Sequence, residues 1–345
     1  MVRSMRSHAK LVAVLWLCLM SAMWCQKTAP SSEAGVSVPL GLAAIPWPGD
    51  NPYSSARVEL GKMLFFDSRL SGNAISCASC HEPSHAFSGG VALSTGASGR
   101  LEDRHTPTII NRAWGKSQLW DGRLPTLEAQ VQNAVTNLKE MGTTTEQMTQ
   151  GLRSFPGYGP LFAAAFGDST ITFERVAQAI ATFERSIVSG NSAYDRYLAG
   201  DKTALTKRQR AGLDFFNHKG QCAECHSGRN LTTEKFVNTG IGTDRVAPDP
   251  GREVVTNKHG DYGKFKVPTL RDIARRGPYM HDGRFKTLAE VLDFYAKGGV
   301  PNPQLDTRLT PFYMDEQSRQ ELLSFLDSLN GEGWQTISPP SIYPQ

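Results

Sequence analysis

Cys77-Ala78-Ser79-Cys80-His81 and Cys222-Ala223-Glu224-Cys225-His226 decide how this chain is read. Each C-x-x-C-H run has the form of a c-type haem attachment site, in which two thiols add across the vinyl groups of one macrocycle. The adjacent histidine then becomes the proximal iron ligand. The remaining cysteines, Cys18 and Cys25, lie in or beside an apolar N-terminal run, so the two pentapeptides account for every other cysteine. Zinc would want its remaining thiolate or imidazole ligands at recognisable spacing. An exported protein would ordinarily use four cysteines for disulfides. Two copies of the full pentapeptide with no cysteine left over favour two covalently bound c-type haems over both.

The apolar run, Leu11 to Trp24, is shorter than the ~20 residues of a spanning helix. Arg3, Arg6 and Lys10 precede it, and the small residues Ser21 and Ala22 stand near its end. That layout is expected of a secretory signal peptide over residues 1–26. A lipoprotein reading through Cys25 is opposed by the bulky Trp24 before it. Removing the signal removes three basic residues and no acid, so the formal charge falls from +4 to +1. A nearly neutral chain without Lys/Arg runs speaks against nucleic-acid binding. With 345 residues, 39% hydrophobic and 20% charged, the chain has the size and composition of a soluble two-domain protein with no stable membrane span.

The haem motifs stand 145 residues apart and invite a search for a repeat. Thr106-Pro107-Thr108, Trp120-Asp121-Gly122-Arg123 and Thr126-Leu127 recur as Val267-Pro268-Thr269, His281-Asp282-Gly283-Arg284 and Thr287-Leu288. All three pieces share one offset of 161 residues. Two related haem domains follow, residues 40–200 and 201–330, joined by the polar stretch from Gly190 to Lys207. Helix is expected over Val58–Phe66, Glu174–Ile187, Leu205–Phe216, Thr287–Lys297 and Glu316–Leu329, with Thr287 and Glu290 forming a capping box. Strand signals are weak.

What lies opposite each proximal histidine separates a reactive haem from an electron carrier. Leu288, Val291, Leu292 and Tyr295 form one helical stripe, which delivers Tyr295 to the core either as a packed tyrosine or as a ligand. Its counterpart in the first half is Ala134, which has only a methyl group. If Tyr295 closes the second haem, the first is open. The first-half helix from Thr126 also carries Gln130 and leads to Glu140. An acid beside an open iron can move the proton that O–O cleavage requires, and an amide can orient peroxide. Alone, Glu140 reads first as a surface acid and Gln130 as a helix former. Met141, Met148, Met280 and Met314 are other sixth ligands that no spacing singles out, and His85 and His105 are the nearest histidines.

Over roughly residues 45–330 the chain resembles the bacterial di-haem cytochrome c peroxidase and MauG family. The carrying motifs are Cys77–His81, Arg104–Thr108, Trp120–Arg123, Gln130, Glu140-Met141, Cys222–His226, Phe265–Arg271 and Pro278–Gly283. The resemblance implies two cytochrome-c-like domains with one haem each, a tryptophan like Trp120 between the haems, and residues like Gln130 and Glu140 over the N-terminal haem. Two departures point to the MauG-like branch. The residue 14 after His281 is Tyr295 rather than the peroxidases' methionine. Ser94-Thr95-Gly96 is followed by Ala97 rather than by a removable histidine ligand. In MauG both oxidising equivalents of peroxide are shared as a bis-ferryl state and used on a protein substrate. Two further departures separate the chain from MauG itself. Gly220 stands where MauG has a relay tryptophan, and His105 replaces the asparagine that holds an interdomain calcium. Calcium is left open by this reading, with the carbonyls of Arg276 and Pro278 as its remaining ligands. Relatives in other pathways, such as the enzyme beside methanobactin biosynthesis genes that oxidises a tryptophan of a partner protein, fit better.

The expectation is a mostly α, periplasmic di-haem enzyme built of two cytochrome-c-like domains in tandem. Hydrogen peroxide would react in the first domain and electrons pass through the second. His81 and His226 are the proximal ligands, Tyr295 the distal ligand of the second haem, and Glu140, Gln130 and Trp120 the catalytic set. The substrate would be aromatic residues, tryptophan above all, of a periplasmic protein. A peroxidase fed by a small cytochrome or cupredoxin, and a non-catalytic di-haem electron carrier, are the competing readings.

Overall fold

The computed structural model describes residues 35–345. The N-terminal run read as a signal peptide lies outside the described residues. Within them, no helix is long and apolar enough to cross a membrane.

The first half is organised by the crossing of α1 (Ser55–Phe66) and α5 (Phe173–Ser186). Ser54 and Thr172 cap the two helices by accepting from the amides of Arg57 and Arg175. A Cβ at Gly61 would stand 2.0 Å from the Ala179 carbonyl oxygen, so only glycine lets the two backbones meet there. Leu60, Leu64, Phe65, Val176, Ile180 and Phe183 fill the resulting core, with the Phe65 and Phe183 rings 5.2 Å apart. Between these helices lie α2 (Leu127–Thr136), α3 (Thr145–Arg153) and α4 (Tyr158–Phe166).

The second half repeats that crossing. Here α7 (Lys207–Asn217) meets α10 (Glu316–Asp327) at Gly212, whose Cβ would stand 2.0 Å from the Glu321 carbonyl oxygen. Phe216 and Phe325 pack there at 5.1 Å. Intervening are β1 (Phe236–Val237), α8 (Glu253–Thr256), β2 (Phe265–Lys266), which pairs antiparallel with β1 so that Phe236 faces Lys266, and α9 (Leu288–Ala296). The expected capping box is present: Thr287 Oγ1 accepts from the Glu290 amide, and the Glu290 carboxylate accepts from the Thr287 amide.

The 161-residue repeat extends into backbone detail. The bridge between Gln118 and Leu124 recurs between Tyr279 and Phe285. Left-handed residues recur as Asn111 and Asp272, and as Leu119 and Met280. Both Asn111 and Asp272 reach Ser189: Asn111 Nδ2 donates to its carbonyl at 2.9 Å, and its hydroxyl donates to Asp272.

Two features differ from expectation. The stretch from Gly190 to Lys207 is more than a polar join. It carries α6 (Ala193–Leu198), whose Asp195 accepts from both Arg271 guanidinium termini at 2.6 and 2.8 Å with both side chains buried. The C-terminal tail also returns to the first half. Trp334 meets Phe87 edge-on at 6.2 Å, and the Tyr343 hydroxyl donates to the Phe66 carbonyl.

Candidate di-haem site

The turn at Cys77–Ser79 is set by Ser76 and Ser79, and it brings the His81 amide onto the Cys77 carbonyl at 2.9 Å. The His81 Nδ1–H donates to the Phe87 carbonyl at 3.1 Å, and the Pro107 carbonyl acts on the same ring. With the proton held on Nδ1, Nε2 keeps its lone pair for a metal. Burial brings His81 down to about 4, so the imidazole is neutral at neutral pH. His226 repeats the arrangement with the Leu231 carbonyl at 3.3 Å and the Pro268 carbonyl, and it too is lowered to about 4 by burial. Pro107 and Pro268 are related by the same repeat. None of the four motif cysteines is in a disulfide. Burial pushes Cys80 up to about 11 and Cys222 up to about 12, and raises Cys77 further. Paired cysteines free of disulfides beside an imidazole with Nε2 available fit covalent haem at both places.

A cavity of about 760 Å³ opens at the first motif, within the ~300–1,000 Å³ range of ligand pockets. Cys77, Cys80 and His81 line it together with Trp120, Gln130, Ala134 and Glu140. Gln130 and Ala134 are one turn apart on α2, whose start is capped by Thr126 Oγ1. The chain then doubles back, with the Met141 amide donating to the Ala134 carbonyl, and this returns Glu140 to the same wall. Asn137 and Asn133 donate to one Glu140 carboxylate oxygen at 2.7 and 3.3 Å. Burial nevertheless raises this carboxyl above its usual range, against the pull of the Asn137 donor. Ala97 is buried, and its amide donates to the Glu140 carbonyl at 2.7 Å.

Of the alternative ligands, Met141 and Met280 line the same cavity. His105 also lines it, with its Nδ1–H donated to the Val91 carbonyl at 3.0 Å and its Nε2 3.4 Å from the Ser88 hydroxyl. His85 is instead paired with Glu82 at 3.1 Å.

Trp120 bridges the halves. Its indole N–H donates to the His105 carbonyl and its own carbonyl accepts from the Lys266 amide, both at 2.7 Å. Its ring meets His281 edge-on at 6.4 Å, and His281 in turn stacks on Phe265 at 3.6 Å.

A family model described as di-haem cytochrome c peroxidase matches residues 55–203. The methylamine utilization protein MauG of Methylorubrum extorquens is 39% identical over 297 residues, covering 84% of this chain and 82% of that protein. The chain belongs to the MauG and di-haem cytochrome c peroxidase family. The cytochrome-c peroxidase IdrP1 of a Pseudomonas species is 33% identical over 88% of each chain. A solved MauG-like protein associated with microbial copper homeostasis superposes with a TM-score of 0.79 at 32% identity, covering 90% of this chain and 99% of that one. As a member of this family the protein is a di-haem, peroxide-dependent oxidoreductase with two c-type haems in two cytochrome-c-like domains.

In this MauG-family chain the second site is built around α9. Leu288 and Leu292 share a core with Cys222 and Ala223. The Tyr295 phenol lies in the same place: burial raises its pKa, and the nearby Cys225 and Cys222 thiols raise it further. The structure thus brings Tyr295 to the second-site cysteines, and brings Glu140, Gln130 and Trp120 to the first.

Two acids escaped the sequence reading. Glu102 lines the first cavity and is pushed up to about 8, by burial first and then by the charge of Glu140. Glu184, on α5, lines it too, is 3% exposed and is pushed up to about 8 by burial. Its Oε2 has no hydrogen-bond partner among the described residues. Glu102 could have been suspected from its place just before the Arg104–Thr108 motif. Nothing in the α5 pattern marks Glu184.

An interdomain calcium would lose one oxygen ligand in this chain. At the asparagine position the His105 ring offers no oxygen, and its Nδ1–H is already donated to a carbonyl. The buried Arg276 guanidinium is close enough to oppose further positive charge on that ring. A hard cation that seeks oxygen ligands would be left with the carbonyls of Arg276 and Pro278.

Proposed function

We propose that this chain is a periplasmic enzyme of the MauG-like branch that turns the two oxidising equivalents of hydrogen peroxide on aromatic side chains of a partner protein, tryptophan above all. Residues 40–200 would form the peroxide-reactive domain and residues 201–330 the electron-transfer domain. The observation that carries this reading is the Tyr295 phenol beside Cys222 and Cys225, set against the bare methyls of Ala134 and Ala97 in the first half. His81 and His226 are assigned as proximal ligands and Tyr295 as the distal ligand of the second haem.

Held by Cys77, Cys80 and His81, the first haem would supply the iron that activates peroxide. Glu140 takes the proton from the proximal peroxide oxygen and returns it to the departing one, a role that suits a buried carboxyl whose pKa is raised toward neutrality. Asn137 and Asn133 hold its Oε1. Gln130, from the same wall, orients the peroxide through its amide. Trp120, hydrogen-bonded to both halves, couples the two sites.

The solved relative's association with copper homeostasis makes a copper-handling protein the first partner to test. Mass spectrometry of such a partner after peroxide treatment should find added oxygen or cross-links on its aromatic residues, and an unmodified partner set would overturn the reading. Tyr295→Met tests the subgroup: a thioether favours reduced iron more than a phenol oxygen does, so the potential of the second haem should rise. An unchanged potential would make Tyr295 only a core residue. The 33% identity to a cytochrome-c peroxidase supports a second reading, peroxide removal fed by a small electron donor. Rapid turnover with reduced cytochrome would favour it.

A further inference from the structure

Electrons taken from a folded partner must cross the surface of this enzyme to reach the cavity at the first motif. Tyr313 is 74% exposed, and no other aromatic side chain of the described residues is as open. Its two neighbours point the other way: Phe312 and Met314 pack against the core that also holds Cys222 and Leu292. The Phe312 amide donates to the Ala296 carbonyl at 3.0 Å, which pins this segment to the residue after Tyr295. Phe312 lies 5.9 Å from Phe215. The Lys219 ammonium sits between the Phe215 and Tyr313 rings, 5.6 and 5.2 Å from their centres. A Cβ at Gly220 would stand 3.1 Å from the Phe215 ring and 3.2 Å from the Cys222 sulfur, so the chain passes close to both at this point.

We infer that Tyr313 is the surface exit of the second haem domain, the side chain through which electrons leave a docked protein and enter the enzyme. The inference rests on the proposed oxidation of a protein partner. One peroxide accepts two electrons and two protons and becomes two waters. Each electron is taken in turn from the Tyr313 phenol, whose O–H proton passes to solvent, leaving a neutral tyrosyl radical. The radical is refilled by one electron and one proton from an aromatic side chain of the partner. Lys219 shapes this step, since an ammonium over a ring opposes positive charge on it. Electron and proton must therefore leave together, which the exposed hydroxyl permits.

The test uses the haem-loaded enzyme alone, treated with peroxide and a nitroso spin trap, then digested and mapped by mass spectrometry while peroxide consumption is recorded. The adduct is expected on the peptide containing Tyr313. Without the trap, two radicals should couple into dityrosine-linked enzyme dimers. Tyr313→Phe, which keeps the ring but lacks the removable proton, should lose both signals. Tyr197→Phe, another tyrosine beside a lysine (Lys202, 4.7 Å), should keep both. Peroxide consumption with no label on Tyr313, or undiminished labelling and dimers in Tyr313→Phe, overturns the exit and leaves the peroxide chemistry standing. No consumption by the parent enzyme overturns the proposed function and this inference with it.

Discussion

Glu140 shows how much one residue depends on its immediate neighbours. Asn137 and Asn133 restrain its carboxylate, while burial raises its proton affinity above the usual carboxylate range. Glu140→Gln should leave both haems attached and slow the reaction with peroxide by about 10²–10⁴-fold, the usual contribution of a general acid–base group. Stopped-flow mixing with peroxide measures it, and parental kinetics would remove Glu140 from the chemistry. Glu184 makes a different prediction. Its carboxyl titrates near 4.5 when unfolded and about 8 when folded. A group whose folded pKa is raised contributes stability that is fully present below the unfolded value and lost as pH rises through the folded one. Thermal stability should therefore fall from pH 4.5 to 8 on this group's account, and Glu184→Gln should flatten that slope. Calorimetry across the range decides, and an unchanged slope would mean that Glu184 is solvated.

At the scale of elements, the two helix crossings are the repeated device. Gly61 on α1 and Gly212 on α7 each sit where a Cβ would fall 2.0 Å from a backbone carbonyl of the partner helix. Replacing a mid-helix glycine by alanine normally gains up to about 1 kcal/mol in propensity. Overpacking a tight joint costs about 1–3 kcal/mol, and here the obstacle is backbone, which cannot swing aside. Gly212→Ala should therefore be destabilising by that order, read from the denaturation midpoint; a stabilised variant would show that α7 and α10 can slide apart. The main helices and the Thr287–Glu290 box were legible because periodicity and caps are local signals. The glycine joints were not, since a glycine inside a helix pattern reads only as a weak helix former until its partner is known.

For the whole molecule, the Asp195–Arg271 pair ties α6 to the second half, and both side chains are buried. Removing one partner of a buried pair leaves an uncompensated charge and costs about 3–5 kcal/mol. Arg271→Leu should lower the denaturation midpoint accordingly, and adding Asp195→Asn should recover part of the loss. Equal destabilisation in single and double variants would show that Arg271 acts through packing alone. Asn111 and Asp272, one from each half, meet at Ser189 between them, so the joint carries the repeat into tertiary structure.

Some of this protein was settled by short-range chemistry that any reading of the chain can find. Two C-x-x-C-H runs need only five adjacent residues each, and the 161-residue repeat needs only that the halves keep step. Ala134 was legible through the same repeat, whereas Gln130 and Glu140 were assigned to the first site only by the family resemblance, since alone they read as a helix former and a surface acid. Other features were decided only when distant segments met. Glu102 and Glu184 became part of the first cavity through folding. Asp195 became a buried ion-pair partner in a stretch whose polarity read as a linker. Trp334 and Tyr343 returned from the C-terminus to the first core. A side chain's charge and exposure depend on what the rest of the chain brings against it, and that information is carried by packing rather than by local sequence.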